Sequence, residues 1–356
     1  MNLPLLQRRL LAIPLVLCLT VILGACGRVK DPVHQTRILV FGTLVDITLW
    51  GVEDDTAQQA TADVIQTLNA LHHRWHAWEP GPLTEINAHL AKGEPATLAP
   101  DQVAVIQGAQ RLSRESGYLF NPAIGNLIAL WGFHADDRPD DVPPPPSAAI
   151  QALVAQHPTL DDLRLDGDTL SSRNPAVQLD FGAYIKSYGV DRAIEVLRKH
   201  GVRDAIVNAG GDLRAIGRKG DRPWRIGIRD PRGPGILASL EVQGDQSVFT
   251  SGDYERFFIW QGKRYHHIID PRSGYSPDGA MSATVVYTGS EGGVGGGAST
   301  ALMVAGPKDW LKVVRGMHLE QALVVGADRK IYVTPALARR LHFEEEPRPA
   351  VIIRGP

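Results

Sequence analysis

The sequence predicts an α+β protein, a single domain with a largely antiparallel sheet region flanked by helices, and three observations carry that expectation. Early in the chain Ala57, Ala60, Val64, Leu68, Leu71, Trp75 and Trp78 recur at spacings of three and four, one face of a helical repeat. From Arg203 onward short β-rich runs separated by turn residues take over. The two patterns do not alternate strictly, which disfavours a parallel, doubly wound sheet.

In chain order, residues 38–50 read as a strand pair or one bent strand around Gly42, and 56–78 as the amphipathic helix. Pro100, suited to a first helical turn, opens a second helix to about Ser116 with Val103, Ile106, Ala109 and Leu112 inward. Pro143 to Pro146 form a stiff extended crossing. A third helix from about Lys186 to His200 stops at Gly201, as helices commonly stop at a C′ glycine. Strands follow over 205–207, 224–229, 237–242, 247–250 and 256–260, and Gln261-Gly262-Lys263 turns the chain into 264–269. Residues 281–287 make another strand, a helix begins near Ala298, and a hairpin of 322–325 with 330–333 closes the series.

Composition narrows the function. With 37 basic against 39 acidic residues, no basic excess exists to neutralise a nucleic-acid backbone, and such binders are excluded as a class. Cys18 and Cys26 are the two cysteines, so no disulfide, thiolate nucleophile or cysteine metal site follows them.

Arg8-Arg9 precedes an apolar run from Leu10 to Ala25 broken only by Thr20. A positive start, a hydrophobic core and small residues at its end make a secretory signal. An uncleaved anchor is the plainer alternative, normally needing about 20 apolar residues. Leu23-Gly24-Ala25-Cys26 resembles the bacterial lipobox, in which the cysteine is lipidated and the chain is cut before it. The expected organisation is a signal over 1–25, a tether over 26–36, one domain over 37–340 and a tail over 341–356. Lipid on Cys26 places the domain on the periplasmic side of the envelope, where free thiols are a liability. Gly27 points weakly to the outer membrane, and Arg8-Arg9 matches twin-arginine export poorly.

Four later stretches are rich in chemistry-bearing residues. Leu179-Asp180-Phe181-Gly182-Ala183-Tyr184-Ile185-Lys186 reads as a strand end passing into a helix, a place that favours an anion. Lys186 in the first turn opposes the helix dipole, which makes sense if it faces a phosphate; a solvated lysine is the bland reading. Asn208-Ala209-Gly210-Gly211-Asp212 lets a ligand approach the backbone, or is simply a tight turn. His266-His267-Ile268-Ile269-Asp270 holds a candidate base, although a lone His-Asp pair is more often structural. Gly295-Gly296-Gly297-Ala298-Ser299-Thr300 is a glycine run opening a helix.

In this order the four stretches resemble the ApbE family of flavin transferases. Phe41-Gly42-Thr43, Trp78-Glu79-Pro80 with Leu83 to Asn87, Phe120-Asn121-Pro122 with Leu130-Trp131-Gly132-Phe133, and Thr250-Ser251-Gly252-Asp253-Tyr254 extend the resemblance over residues 37 to 335. It implies that FAD is the substrate and that its FMN half moves to a Thr or Ser hydroxyl. The acceptors would be exported flavoprotein domains of membrane respiratory complexes, AMP would leave, and Mg²⁺ would neutralise the phosphates.

Carried over by position, Asp180, Lys186, Phe41, Leu119, Phe120 and Asn121 match flavin-contacting residues, and Trp78 stands for a family tyrosine. Gly210, Gly211, Asp212 and Ile269 join the cofactor-binding set. Ala183 matches a residue whose backbone carbonyl ligates the metal, and Thr300 a metal-ligating hydroxyl. His267 is the candidate base for the acceptor hydroxyl, with Asp270 orienting it, an assignment from chemical reasoning. Two positions depart from the pattern. Gly296 stands where the family carries a metal-ligating aspartate, and Asn121 where it carries an aspartate. A shifted ligand such as Glu291, weaker Mg²⁺ binding helped by FAD's own phosphates, and a flavin binder that has lost transfer all fit the first departure. Hydrolysis of FAD to FMN and AMP is a further alternative.

Overall fold

A hairpin opens the described chain: β1 (Val33–Val40) turns at Phe41-Gly42 into β2 (Thr43–Trp50), Leu39 facing Leu44. The computed structural model describes residues 32–135, 142–289, 293–344 and 350–355. The signal, Cys26 and Glu291 therefore lie outside the described residues. Then come α1 (Asp54–Trp75), α2 (Pro82–Ala91), β3 (Ala96–Thr97), α3 (Pro100–Glu115), α4 (Gly125–Trp131), α5 (Ser147–Val154), β4 (Leu163–Asp166) and β5 (Thr169–Ser172). The central stretch holds α6 (Gly182–Lys199), β6 (Ala205–Ala209), β7 (Asp212–Gly217), β8 (Trp224–Arg229), β9 (Ile236–Val242) and β10 (Gly244–Gly252). After β11 (Phe257–Trp260), β12 (Lys263–His266) and β13 (Ala280–Thr288) comes α7 (Val294–Gly316). The end comprises β14 (Ala322–Gly326), β15 (Ile331–Val333), α8 (Pro335–Ala338), β16 (His342–Phe343) and β17 (Val351–Ile353).

Nine strands form one sheet in the order β1-β2-β6-β7-β10-β13-β14-β15-β17. Its neighbours run antiparallel except β15 and β17, so the expected α+β class with a largely antiparallel sheet is observed. Alternation sorts the strand residues by face. Phe249 and Val285 join the core under the helices, while Val248 and Val286 pack against the small sheet β16-β9-β8. A separate core seals α1 and α6 onto β1, β2 and β6 through Leu68, Val190, Ile194, Val45 and Val207.

Burial of Ala57, Ala60, Val64, Leu68, Leu71 and Trp75 explains α1, with Asp54 and Asp55 at its start and His72, His73 and Arg74 at its end suiting its dipole. The helix stops at Trp75, short of the expected Trp78. His76 turns extended, and its Nδ1 accepts the Trp78 and Glu79 N–H groups at 3.3 and 2.9 Å. Trp78 thus leaves the helical face for a loop. The strand expected before α6 reduces to an isolated bridge, Ile124 with Gln178. Since α6 begins at Gly182, Lys186 sits in its second turn rather than its first.

The domain ends also shift. Four residues of the expected tether belong to β1, and the expected tail supplies β16 against β9 and β17 against β15. Among the described residues no helix is long and apolar enough to cross a membrane.

Candidate active site

A cavity of about 720 Å³ opens where the β1–β2 turn, the end of α1, the starts of α6 and α7, and the loops after β6, β10 and β12 converge. That volume suits a small-molecule site. The cavity is lined by Phe41, Trp78, Leu119, Phe120, Asn121, Asp180, Ala183, Lys186, Gly210, Asp212, His267, Ile269 and Thr300. Gly211 and Asp270, also expected at the site, are not in its lining.

The hairpin turn holds Phe41 at φ 58° and Gly42 at φ 65°. Left-handed backbone suits glycine and is unusual for an aromatic residue, so the ring's packing must hold it there. Its edge meets His72, and it lies so close to Gly189 that a Cβ there would be 2.8 Å from the ring. Across the cavity Trp78 donates its indole N–H to Asp180 Oδ2 at 3.2 Å and lies against His134. The other carboxylate oxygen of Asp180 accepts the Gly182 N–H at 2.8 Å, tying the aromatic wall to the start of α6. Behind it, buried Arg214 on β7 pairs with Asp191 of α6 and with Asp245 of β10, both at 2.8 Å, and so fixes the helix that carries Lys186.

Asn121 lines the cavity but spends its amide on the backbone, donating to Pro158 O at 2.8 Å and accepting the Ala123 N–H at 3.1 Å. It builds the loop that presents Leu119 and Phe120. Gly210 and Gly211, at φ 59° and 97°, make the turn from β6 to β7. Gly211 sits behind the wall, its N–H bound by Asn208 Oδ1 and its carbonyl by the Thr250 N–H.

Asp212, next in sequence, is buried at 3% exposure with its carboxylate free of hydrogen bonds and ion pairs among the described residues. Burial, aided by Glu255 and opposed by Lys186, pushes its carboxyl up to about 6 from 3.8. The folded state therefore holds this proton more tightly than the unfolded chain. The stabilisation is complete below pH 3.8 and is lost as pH rises through 6. Asp212→Asn is expected to raise stability near pH 7 by about 2–3 kcal/mol and to change it little near pH 4. Urea unfolding at the two pH values checks this; a variant less stable at pH 7 refutes it.

His267 lies half-buried beside Arg256 and Lys186. Burial first, then these two cations and His266, hold its imidazole well below the usual 6.5. Its Nδ1 faces the Arg256 carbonyl at 3.3 Å. A carbonyl can only accept, so the ring proton sits on Nδ1 and leaves Nε2 as a bare acceptor. The expected partnership with Asp270 is absent. Asp270 Oδ1 accepts the Arg272 N–H at 2.9 Å, and its carboxylate is forked by the Arg272 guanidinium at 2.8 to 3.2 Å. The carboxylate is engaged in its own turn and makes no hydrogen bond to the imidazole; the backbone of residue 256 takes the orienting role.

Ala183 and Thr300 do reach the cavity, but the surrounding donors do not fit a protein-held Mg²⁺. Thr300 Oγ1 lies 3.4 Å from Ser251 Oγ, which is 2.7 Å from Ser299 Oγ, and Ser299 donates to Gly296 O at 3.1 Å. These oxygens are neutral, whereas a hard cation favours carboxylates. A Cβ at Gly296 would collide with the Ala183 carbonyl and lie 2.7 Å from Ser187 Oγ. Among the described residues no group of three or more His, Cys, Asp or Glu side chains gathers as a metal site.

Residue-level expectation missed His72, His76, His134, Glu255 and Arg256, all of which line the cavity. His72 and His76 carried a signal: they sit four apart at the end of an apolar helical face. Glu255 and Arg256 follow directly on Thr250-Ser251-Gly252-Asp253-Tyr254 and extend that motif into the wall. Nothing local marks His134, which its loop alone brings over Trp78.

The ApbE family model matches residues 41–324. A FAD:protein FMN transferase of Rhodobacter capsulatus is 38% identical over 313 residues, covering 88% of this chain, which spans 59% of that relative's length. The crystal structure of an ApbE protein from Thermotoga maritima superposes with a TM-score of 0.78 at 27% identity, covering 88% of this chain and 100% of its own. The flavin transferase ApbE of Vibrio cholerae gives 0.74 at 26% identity, covering 87% and 100%.

Proposed function

The chain belongs to the ApbE family, and from that premise we propose that it is an FAD:protein FMN transferase. It takes FAD, joins the FMN half through a phosphoester to a Thr or Ser hydroxyl of a partner protein, and releases AMP. The observation that carries this reading is the convergence on one cavity of the residues placed there by resemblance, with a neutral His267 whose Nε2 is free to accept a proton.

In the transfer the acceptor oxygen forms a bond to the FMN phosphorus as the bond from that phosphorus to the AMP oxygen breaks. The hydroxyl proton passes to His267 Nε2, and the bonding pair leaves with AMP. Lys186 and Arg256 line the same cavity as that imidazole and meet phosphate charge as it redistributes. Phe41, Phe120 and Trp78 supply apolar and aromatic surface for a flavin ring. No step is routed through a divalent cation.

The acceptors are proposed to be exported flavoprotein domains of membrane respiratory complexes. Lipid on Cys26 would hold the enzyme on the periplasmic side, near such partners. The test incubates the protein with FAD and an acceptor carrying a flavinylation Thr. A fluorescent acceptor band surviving denaturing electrophoresis is expected. Its absence, where a known transferase produces one, refutes the reading. The neutral oxygens around Ala183 and Thr300 favour a second reading, a flavin-binding protein without transfer. FAD binding without any covalent band distinguishes it, and AMP release without an acceptor would indicate hydrolysis.

A further inference from the structure

We propose that this chain binds its flavin dinucleotide without a protein-held divalent cation, leaving Lys186 and Arg256 to meet the charge of the diphosphate. The inference rests on the flavin-transferase reading of the cavity and concerns how that same site handles phosphate.

Its starting point is the packing of α7. The first turn of this helix carries three successive glycines, Gly295, Gly296 and Gly297, all buried. A Cβ on the first would strike the Phe249 ring, on the second the Ala183 carbonyl, and on the third Leu112. These contacts come from β10, α6 and α3, so three separate elements close onto the helix at backbone distance. The absence of side chains is therefore built into the packing around α7. A carboxylate at Gly296 would need the space that the Ala183 carbonyl occupies.

What remains beside Ala183 and Thr300 is a chain of hydroxyls already engaged with one another through Ser251 and Ser299. A neutral set of this kind gives a doubly charged ion too little compensation for the water it must shed. Anion compensation by the protein then falls on its own cations. Lys186 and Arg256 both line the cavity, as His267 does, and Arg256 keeps one guanidinium nitrogen on the Phe133 carbonyl at 3.1 Å, with the rest of its fork open to a ligand among the described residues. The carboxylate of Asp180 is occupied by Trp78 and Gly182 and stays out of that task.

The experiment titrates the protein with FAD, read by quenching of flavin fluorescence, once in excess MgCl₂ and once in EDTA at matched ionic strength. The expected result is a Kd equal within about twofold in the two buffers, with Lys186→Gln and Arg256→Gln each weakening it about tenfold in both, the size of one charged hydrogen bond. A Kd tenfold or more weaker in EDTA overturns the proposal, and loss of that difference in Glu291→Gln would identify the ligand responsible. Failure of the underlying reading looks different: FAD then binds in neither buffer, and both fall together. Binding that is metal-independent but indifferent to both cationic substitutions also overturns the assignment of the diphosphate to these residues.

Discussion

Replacing His267 with asparagine is expected to lower the transfer rate at saturating FAD by about 10²- to 10⁴-fold, the usual worth of a positioned general base, while changing FAD affinity by less than about threefold. The split follows from the geometry. Nδ1 is held by the Arg256 carbonyl, which an asparagine amide can still approach, whereas only an imidazole offers a basic Nε2. Single-turnover transfer and FAD titration measure the two quantities separately. If affinity falls and the transfer rate is preserved, His267 is a binding wall and the base lies elsewhere. The pH profile adds a second readout. With the imidazole held well below 6.5 by burial, Arg256 and Lys186, it remains unprotonated at that pH, and the wild-type rate should not fall on passing down through 6.5. Arg256→Gln removes one cause of the depression and should move any acid limb attributable to His267 upward.

Gly296→Asp is expected to destabilise the fold by about 3 kcal/mol or more, combining overpacking with a carboxylate pressed on a carbonyl oxygen. The same change should not by itself create a magnesium-dependent site, because the Ala183 carbonyl and Ser187 Oγ occupy the space the side chain needs. Gly296→Ala separates the two contributions, carrying the steric cost without the charge. Thermal unfolding of the three proteins is the measurement. An aspartate variant as stable as its parent, with FAD binding newly strengthened by Mg²⁺, would show that α6 and α7 can part to admit a metal.

Much of this architecture is legible before any coordinates. The periodicity of Ala57 through Trp75 identifies α1 because a helix buried on one face must repeat its apolar residues every third or fourth position. Gly42 and Gly201 mark real stops, since left-handed backbone is accessible to glycine at little cost. Helices α2, α4 and α5 are short and lean on tertiary contacts, so their periodic signal is weak. Strand β7 follows the glycine turn directly, and its run of Leu213, Arg214 and Ala215 hides a polar residue in a buried strand. Arg214 is tolerated there because Asp191 and Asp245 pair with it, and no local rule anticipates such partners.

The site divides in the same way. Motif resemblance reaches residues from Phe41 to Thr300, and most of them line one cavity. The supposed link from His267 to Asp270 fails because an aspartate can satisfy its own turn and a following arginine. A two-letter pairing in sequence carries no information about that competition. The histidine over Trp78, His134, was invisible for a related reason: its loop decides where it points.

The sheet order also governs when the cavity can come into being. β2 finds its partner in β6, pairing Val45 with Ala209 across the intervening helices, and only that registry sets Thr43 against Gly210. Contacts so far apart in sequence impose a long loop closure and slow the folding search. Until β2 and β6 zip together, Phe41 and Asp212 belong to unconnected parts of the chain. Flavin should therefore act as a lock rather than a template. FAD added during refolding would leave the folding rate unchanged, and FAD added to the folded protein would slow its unfolding.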